Sequence, residues 1–134
     1  MFSQELLAGF ASVFLSGSCL FYCAAGTIIG IIFGSIPGLS TSMAMVLFLP
    51  LSFALDTTHG VALLIGLFTG GMSGGLISAI LLKMPGTPAA VATVFDGGPM
   101  GQRGEGGRAI GIGILYSFIG GTFSILSLVL LAPQ

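Results

Sequence analysis

Charge is what this sequence has least of. Only 5% of its 134 residues are Asp, Glu, Lys or Arg, three basic and four acidic in all, whereas a soluble domain carries roughly 25%. So few charges cannot cover a water-soluble fold of this size, and no basic face exists to hold nucleic acid. Tryptophan is missing altogether. The only cysteines, Cys19 and Cys23, lie four apart in an apolar run with no His or acid near them. They share one helix face and read as buried apolar side chains, not as a metal knuckle. No Ser, His and acid combination supports hydrolysis, so no catalytic residue, metal site or cofactor is expected. The glycine-rich stretch 101–107 lacks both the Gly-Lys-Ser/Thr ending and the preceding strand of a phosphate-binding loop.

What the sequence does have is apolar bulk and glycine: 54% hydrophobic residues and 23 glycines. Glycine lets backbones approach closely in lipid, and the chain reads as an all-α, polytopic helical membrane protein forming a single membrane domain. No formal charge falls between Glu5 and Asp56, or after Arg108. A spanning helix needs ~20 apolar residues, so 19–55 is too long for one span and is divided by Ser35-Ile36-Pro37-Gly38. It is expected to form a broken helical hairpin, or one span joined to a re-entrant piece. Residues 60–95 read as a spanning helix followed by a second Pro-Gly break, 96–108 as a polar loop, and 109–132 as a further span.

The first 18 residues differ. Leu6, Leu7, Phe10, Val13 and Phe14 recur at helical spacing, which suits an interfacial helix ending near Ser16-Gly17-Ser18; a first span is the alternative. Met1–Gly17 carries Glu5 where a signal peptide has a basic region, so processing is not expected. Lys83, Arg103 and Arg108 gather around one connection, which the positive-inside tendency places in the cytoplasm. Asp56 to His59 then faces the opposite side as a solvated turn, and Asp96 reads as a helix-ending turn residue, the alternative being that it holds the loop against the second break. The sequence stops directly after an apolar run, as the leading portion of a longer membrane protein would.

Two segments match at constant offset: Ser35-Ile-Pro-Gly-Leu-Ser-Thr-Ser-Met-Ala-Met-Val and Lys83-Met-Pro-Gly-Thr-Pro-Ala-Ala-Val-Ala-Thr-Val. Each follows small residues at every fourth position: Gly26, Gly30 and Gly34 before the first, Gly66, Gly70, Gly74 and Ser78 before the second. These ladders are expected to be helix-packing faces. Irregular backbone at membrane depth is tolerated only where protein buries it or it lines a polar cavity. A helix starting after such a break aims free N–H groups and its positive dipole end at that cavity, an arrangement that secondary transporters use for anionic groups and coupling cations. Ser40, Thr41, Ser42 and Thr87 add hydroxyls.

These residues resemble a known family. Gly26-Thr-Ile-Ile-Gly-Ile-Ile-Phe-Gly-Ser-Ile-Pro-Gly-Leu is similar to the glycine ladder and Pro-Gly-Leu of the large membrane subunit of tripartite tricarboxylate transporters, the TctA-like family. Leu47-Phe-Leu-Pro-Leu-Ser-Phe-Ala-Leu and Gly74-Gly-Leu-Ile-Ser-Ala-Ile-Leu-Leu-Lys-Met-Pro-Gly-Thr-Pro-Ala-Ala-Val-Ala-Thr resemble it too, as do Asp96-Gly-Gly-Pro-Met and Gly104-Glu-Gly-Gly-Arg-Ala. The resemblance implies a permease of the bacterial cytoplasmic membrane for tricarboxylates or related carboxylates. It also implies an ion gradient (Na+ or H+) as driving force, a small membrane subunit and an extracytoplasmic solute-binding protein. Carried over by position, the substrate-lining residues are Pro37, Gly38, Leu39, Ser40 and Thr41 at the first break and Pro85, Gly86, Thr87, Pro88 and Ala89 at the second. Lys83 departs from the Asn more usual in the family. The competing expectation is a small structural membrane protein that oligomerises through its glycine ladders.

Overall fold

The computed structural model describes residues 9, 11, 13 and 15–131. Its elements are α1 (Gly17–Ser35), α2 (Thr41–Ala54), α3 (Thr57–Leu82), a 3-10 turn (Pro88–Ala90), α4 (Val91–Gln102) and α5 (Gly106–Leu131). The fold is all-α, with no strand among the described residues. Helices α1, α3 and α5 are each long and apolar enough to cross a membrane. The interfacial helix expected over the first 18 residues lies largely outside the described residues; the backbone there breaks at Ser16 before α1 begins.

Helix α3 is the axis of the molecule, and its glycines set the packing. A Cβ at Gly26, Gly30 or Gly34 of α1 would collide with the carbonyl oxygens of Leu63, Leu67 and Gly71 in turn. In the other direction, Gly66, Gly70 and Gly74 abut the carbonyls of Cys23, Thr27 and Ile31. Residue numbers rise together along the two helices, so α1 and α3 run parallel in backbone-to-backbone contact, where Cα–H groups face carbonyl oxygens. Thr27 and Ser35 turn their hydroxyls back onto the Cys23 and Ile31 carbonyls, at 2.8 and 2.6 Å, which leaves this interface free of unsatisfied donors.

The first break is a tight turn that the sequence encodes directly. Leu39 N–H donates to the Ile36 carbonyl at 3.1 Å, with Pro37 and Gly38 between them and Gly38 at φ +93°. That is a type II β-turn, which pre-sets φ with Pro and requires positive φ at the next residue. Ser40 then caps α2 by accepting from Met43 N–H at 3.2 Å, satisfying one of the orphan N–H groups of the new helix. Helix α2 returns antiparallel to α3: Thr41 meets Gly71 at its start, and the Ser52 carbonyl meets Gly60 near its end. Ala44, Leu63 and Leu67 form the buried core beneath, ringed by Tyr22, Ile29, Phe33, Phe48, Leu55 and Leu64.

The second break folds back. Helix α3 ends at Leu82 with Lys83 left-handed at φ 54°, and the chain re-enters until Thr87 lies against Gly75. Seven residues of α3 separate Gly75 from Leu82, so the excursion is about 10 Å deep at ~1.5 Å per residue. Helix α4 then climbs out, with Gly97 and Gly101 against Ile80 and Gly98 against the Lys83 stem. Helix α5 recrosses antiparallel to α3, Gly106 beside Leu81 and Gly113 beside Leu76.

The polar loop expected over 96–108 is therefore mostly helix. Asp96 and Pro99 lie inside α4, and the connection to α5 is only Arg103 to Glu105. Three glycines give α4 a face thin enough to pack on Ile80 and Lys83, and this packing outweighs their weak helix propensity. The helix stops by a Schellman motif: Glu105 N–H donates to the Met100 carbonyl, Gly104 N–H to that of Gly101, and Gly104 sits at φ +81°. His59 also departs from the solvated turn expected of it. It belongs to the first turn of α3, 3.6 Å from the Asp56 carboxylate and with its ring 5.1 Å from that of Tyr22.

Candidate functional site

Two helical hairpins thus approach α3 from opposite ends. The α1–α2 hairpin descends from the Thr57 end, and the Lys83–Gln102 hairpin rises from the Leu82 end. Their tips meet beside Gly71 and Gly75, near the middle of the 26-residue α3. At ~1.5 Å per residue the helix is about 39 Å long, so both breaks lie at hydrocarbon depth.

The contact between the tips is backbone on backbone. A Cβ at Gly86 would strike the carbonyl oxygen of Gly34, at the end of α1, and would stand 2.8 Å from Ser78 Oγ and 3.2 Å from Gly75 Cα. Ser78 is almost wholly buried and donates to the Gly75 carbonyl at 3.0 Å. Around α3 the order is then α1, the Thr41 end of α2, the second tip at Thr87, and the edge of α4.

Thr41 and Thr87 are the unusual residues here. Each is 5% exposed, and each buries a hydroxyl that has no hydrogen-bond partner. Thr41 stands at the first position of α2 with Cγ2 and Oγ1 both 2.5 Å from where a Gly71 Cβ would be; Thr87 stands at 2.9 Å from the same point on Gly75. Thr87 also precedes the 3-10 turn without capping it through its side chain. An unsatisfied buried hydroxyl costs about 1–3 kcal/mol. A pair on neighbouring turns of one helix, each at the start of a new helical segment, is an arrangement suited to donating to an oxygen-bearing ligand.

The ten residues carried over by position divide unevenly. Thr41, Gly86 and Thr87 are brought together at the tips, with Ser40 used as a helix cap. Gly38 projects away: a Cβ there would meet nothing within 4 Å, and its role is the turn's positive φ. The two Pro-Gly steps, matched in sequence, are not matched in conformation. Gly38 supplies a dihedral, whereas Gly86 supplies space. Sequence reasoning missed Gly71 and Gly75. The signal was present in the doublets Gly70-Gly71 and Gly74-Gly75, which place a second glycine stripe ~100° around the helix from the first.

Two cavities adjoin the second tip. One of about 570 Å³ is lined by Thr69, Ser73, Thr87, Thr93 and Ser117 among apolar residues, and one of about 420 Å³ by Thr93, Asp96 and Tyr116 among others. Among the described residues no cluster of His, Cys, Asp and Glu could hold a metal ion.

The family model described as "Tripartite tricarboxylate transporter TctA family" matches residues 20–134. An uncharacterized 52.8 kDa protein from the TAR-I ttuC' 3' region of Agrobacterium vitis is 30% identical over 112 residues, which cover 84% of this chain and 22% of that relative. The chain thus spans about a fifth of the length of the curated relative it matches. No solved structure matches it.

Proposed function

Because the chain belongs to the TctA family of tripartite tricarboxylate transporters, we propose that it forms the solute-binding part of a membrane permease for carboxylate-bearing compounds, held where the two hairpin tips meet. The observation that carries this reading is the pair of buried, unpartnered hydroxyls of Thr41 and Thr87. They stand beside the start of α2, whose N–H groups and dipole favour negative charge. One helix terminus contributes only ~0.3–1 kcal/mol when exposed and up to ~2 when partly buried, so hydroxyls and main-chain donors must converge. The remaining candidates, Pro37, Gly38, Leu39, Ser40, Pro85, Gly86, Pro88 and Ala89, shape the two tips around that point.

In this reading the permease lies in the bacterial cytoplasmic membrane with the Lys83 end inward. An extracytoplasmic binding protein delivers the solute, a small membrane subunit assists, and an Na+ or H+ gradient drives uptake. The alternative, a structural protein oligomerising through its ladders, is disfavoured by one observation: the glycine faces of α1 and α3 are occupied by each other within one chain.

The test is binding-protein-dependent uptake of labelled carboxylate by the full-length permease, corrected for transporter in the membrane. Gly86→Val drives a side chain into the Gly34 carbonyl and is expected to abolish uptake, while Gly107→Val, which meets open space, leaves it intact. Normal uptake by Gly86→Val would place the solute elsewhere.

A further inference from the structure

We propose that the cleft between α3, α4 and α5 is an aqueous vestibule connecting the Leu82 end of the molecule to the hairpin tips, open to small hydrophilic anions. The substrate class rests on the function proposed above; the presence of water does not. The two cavities, of about 570 and 420 Å³, adjoin one another at Leu76 and Thr93, which line both. At the head of the cleft stands Thr87, whose buried hydroxyl lacks a partner. Nearest the Leu82 end, which also carries Lys83, Arg103 and Arg108, the smaller cavity is lined by Ile80, Met100 and Ala109, with Asp96 farther in.

The polar groups along this cleft divide into those already paired and those that are not. Thr69 and Ser73 return their hydroxyls to backbone carbonyls of α3 at 2.9 and 3.1 Å, as such residues do on a lipid-facing helix. The side-chain hydroxyls of Thr93 and Ser117 make no hydrogen bond among the described residues, and Asp96 makes no ion pair. A carboxylate without a counter-ion, on a short helix packed between two spans, is costly in hydrocarbon and ordinary in water. Non-helical backbone such as Met84 to Thr87 is likewise tolerated at this depth where it borders a water-filled cavity.

The face of α3 turned away from this cleft is closed. There, against α1 and α2, Ala44, Leu63 and Leu67 are none more than 3% exposed, with Phe33 and Phe48 stacked edge to face at 6.3 Å. Access to the tips is therefore from the side of α4 and α5, where the larger cavity lies.

Thiol reactivity tests this, because the reactive thiolate forms readily in water and is suppressed in apolar surroundings. In the full-length permease with Cys19 and Cys23 replaced by Ala, cysteine is introduced as Thr93→Cys, Ser117→Cys or Ile125→Cys. Ile125 is 64% exposed and lines neither cavity. A charged, membrane-impermeant thiol reagent should label positions 93 and 117 about tenfold faster than 125, and only from the side that labels Gln102→Cys. Saturating carboxylate should slow the reaction. Rates equal to that at 125, with all three positions open to a lipid-soluble maleimide, would show lipid in the cleft and overturn the proposal. Resistance of 93 and 117 to both reagents would show packed protein there and overturn it equally. Fast labelling unaffected by any carboxylate would leave the vestibule standing and count against the proposed substrate class alone.

Discussion

Replacing Thr41 or Thr87 by valine should make the solute-free protein more stable and the solute bind less tightly, and the opposition of the two effects is the point. Valine keeps the branched shape and exchanges the hydroxyl for a methyl. Nothing else of consequence is lost: neither hydroxyl has a partner, and Thr87 caps no N–H group through its side chain. The desolvation penalty of ~1–3 kcal/mol for an unsatisfied hydroxyl is then removed. Against this stands the crowding of a methyl against Gly71 or Gly75. At Thr41 the existing Cγ2 already sits as close to Gly71 as Oγ1 does, both 2.5 Å from the ideal Cβ point, so a methyl is tolerated on that surface. A net gain of about 1 kcal/mol per substitution is expected.

Binding moves the other way. A hydrogen bond to a charged group contributes ~1.5–3 kcal/mol, so its loss weakens carboxylate affinity roughly tenfold to a hundredfold. Thermal unfolding in detergent, followed by the fraction remaining monodisperse, reads both quantities in one series. Without solute the valine variants melt above the parent; with solute the parent gains stability by mass action and the variants gain less. Thr→Ser controls retain the hydroxyl and should retain the solute effect while losing some packing. If the valine variants melt lower than the parent without solute, the hydroxyls are bonded in the folded protein and the reasoning fails. If they melt higher yet respond to solute as the parent does, the hydroxyls lie outside the binding site.

The two Pro-Gly glycines should separate by remedy: Gly38→Asn should recover most of the ~1–2 kcal/mol lost in Gly38→Ala, because Asn tolerates positive φ, whereas at Gly86 Asn should melt no higher than Ala. Lys83, left-handed at φ 54°, predicts that Lys83→Asn gains up to ~1 kcal/mol in melting assays and Lys83→Val loses stability. Gly30→Leu should reduce the yield of folded protein on size exclusion far more than Gly107→Leu, since a Cβ at position 30 strikes the Leu67 carbonyl and one at 107 meets nothing. Gln102→Cys, in a background lacking Cys19 and Cys23, should react with an impermeant thiol reagent in inverted vesicles and not in intact cells, the outcome expected from the positive-inside tendency of the basic residues at that end.

The sequence showed where the helices break but not how far the chain returns. Pro37-Gly38 declares its turn, because that dipeptide at the centre of a β-turn selects type II. Pro85-Gly86 looked like a copy and is not one: Lys83 makes the turn, and Gly86 is small because Gly34 lies against it. Nothing local distinguishes these cases, since the difference resides in a contact between residues 52 positions apart. Helix α4 was hidden for a similar reason. Gly97-Gly98-Pro99 reads as a loop by propensity, and only the closeness of Ile80 and the Lys83 stem turns those glycines into a packing face.

Glycine spacing carries more of this architecture than hydrophobic periodicity does, and the reason is physical. In a chain apolar on all sides, lipid and protein neighbours are equally acceptable to a leucine, so an apolar stripe cannot say which face is inside. A helical glycine can where another backbone comes within van der Waals reach of it, as at Gly26, Gly30 and Gly34. Gly66, Gly70 and Gly74 mark the face that meets α1; Gly71 and Gly75 mark the face that meets the tips. The first set builds a rigid pair of parallel helices closed by carbonyl contacts. The second holds two threonines whose hydroxyls that packing leaves unsatisfied. Among the described residues, this scaffold satisfies the hydroxyls of Thr27, Ser35 and Ser78 and leaves buried and unpaired those of Thr41 and Thr87, which lie at the meeting of its two breaks, as the proposed solute site requires.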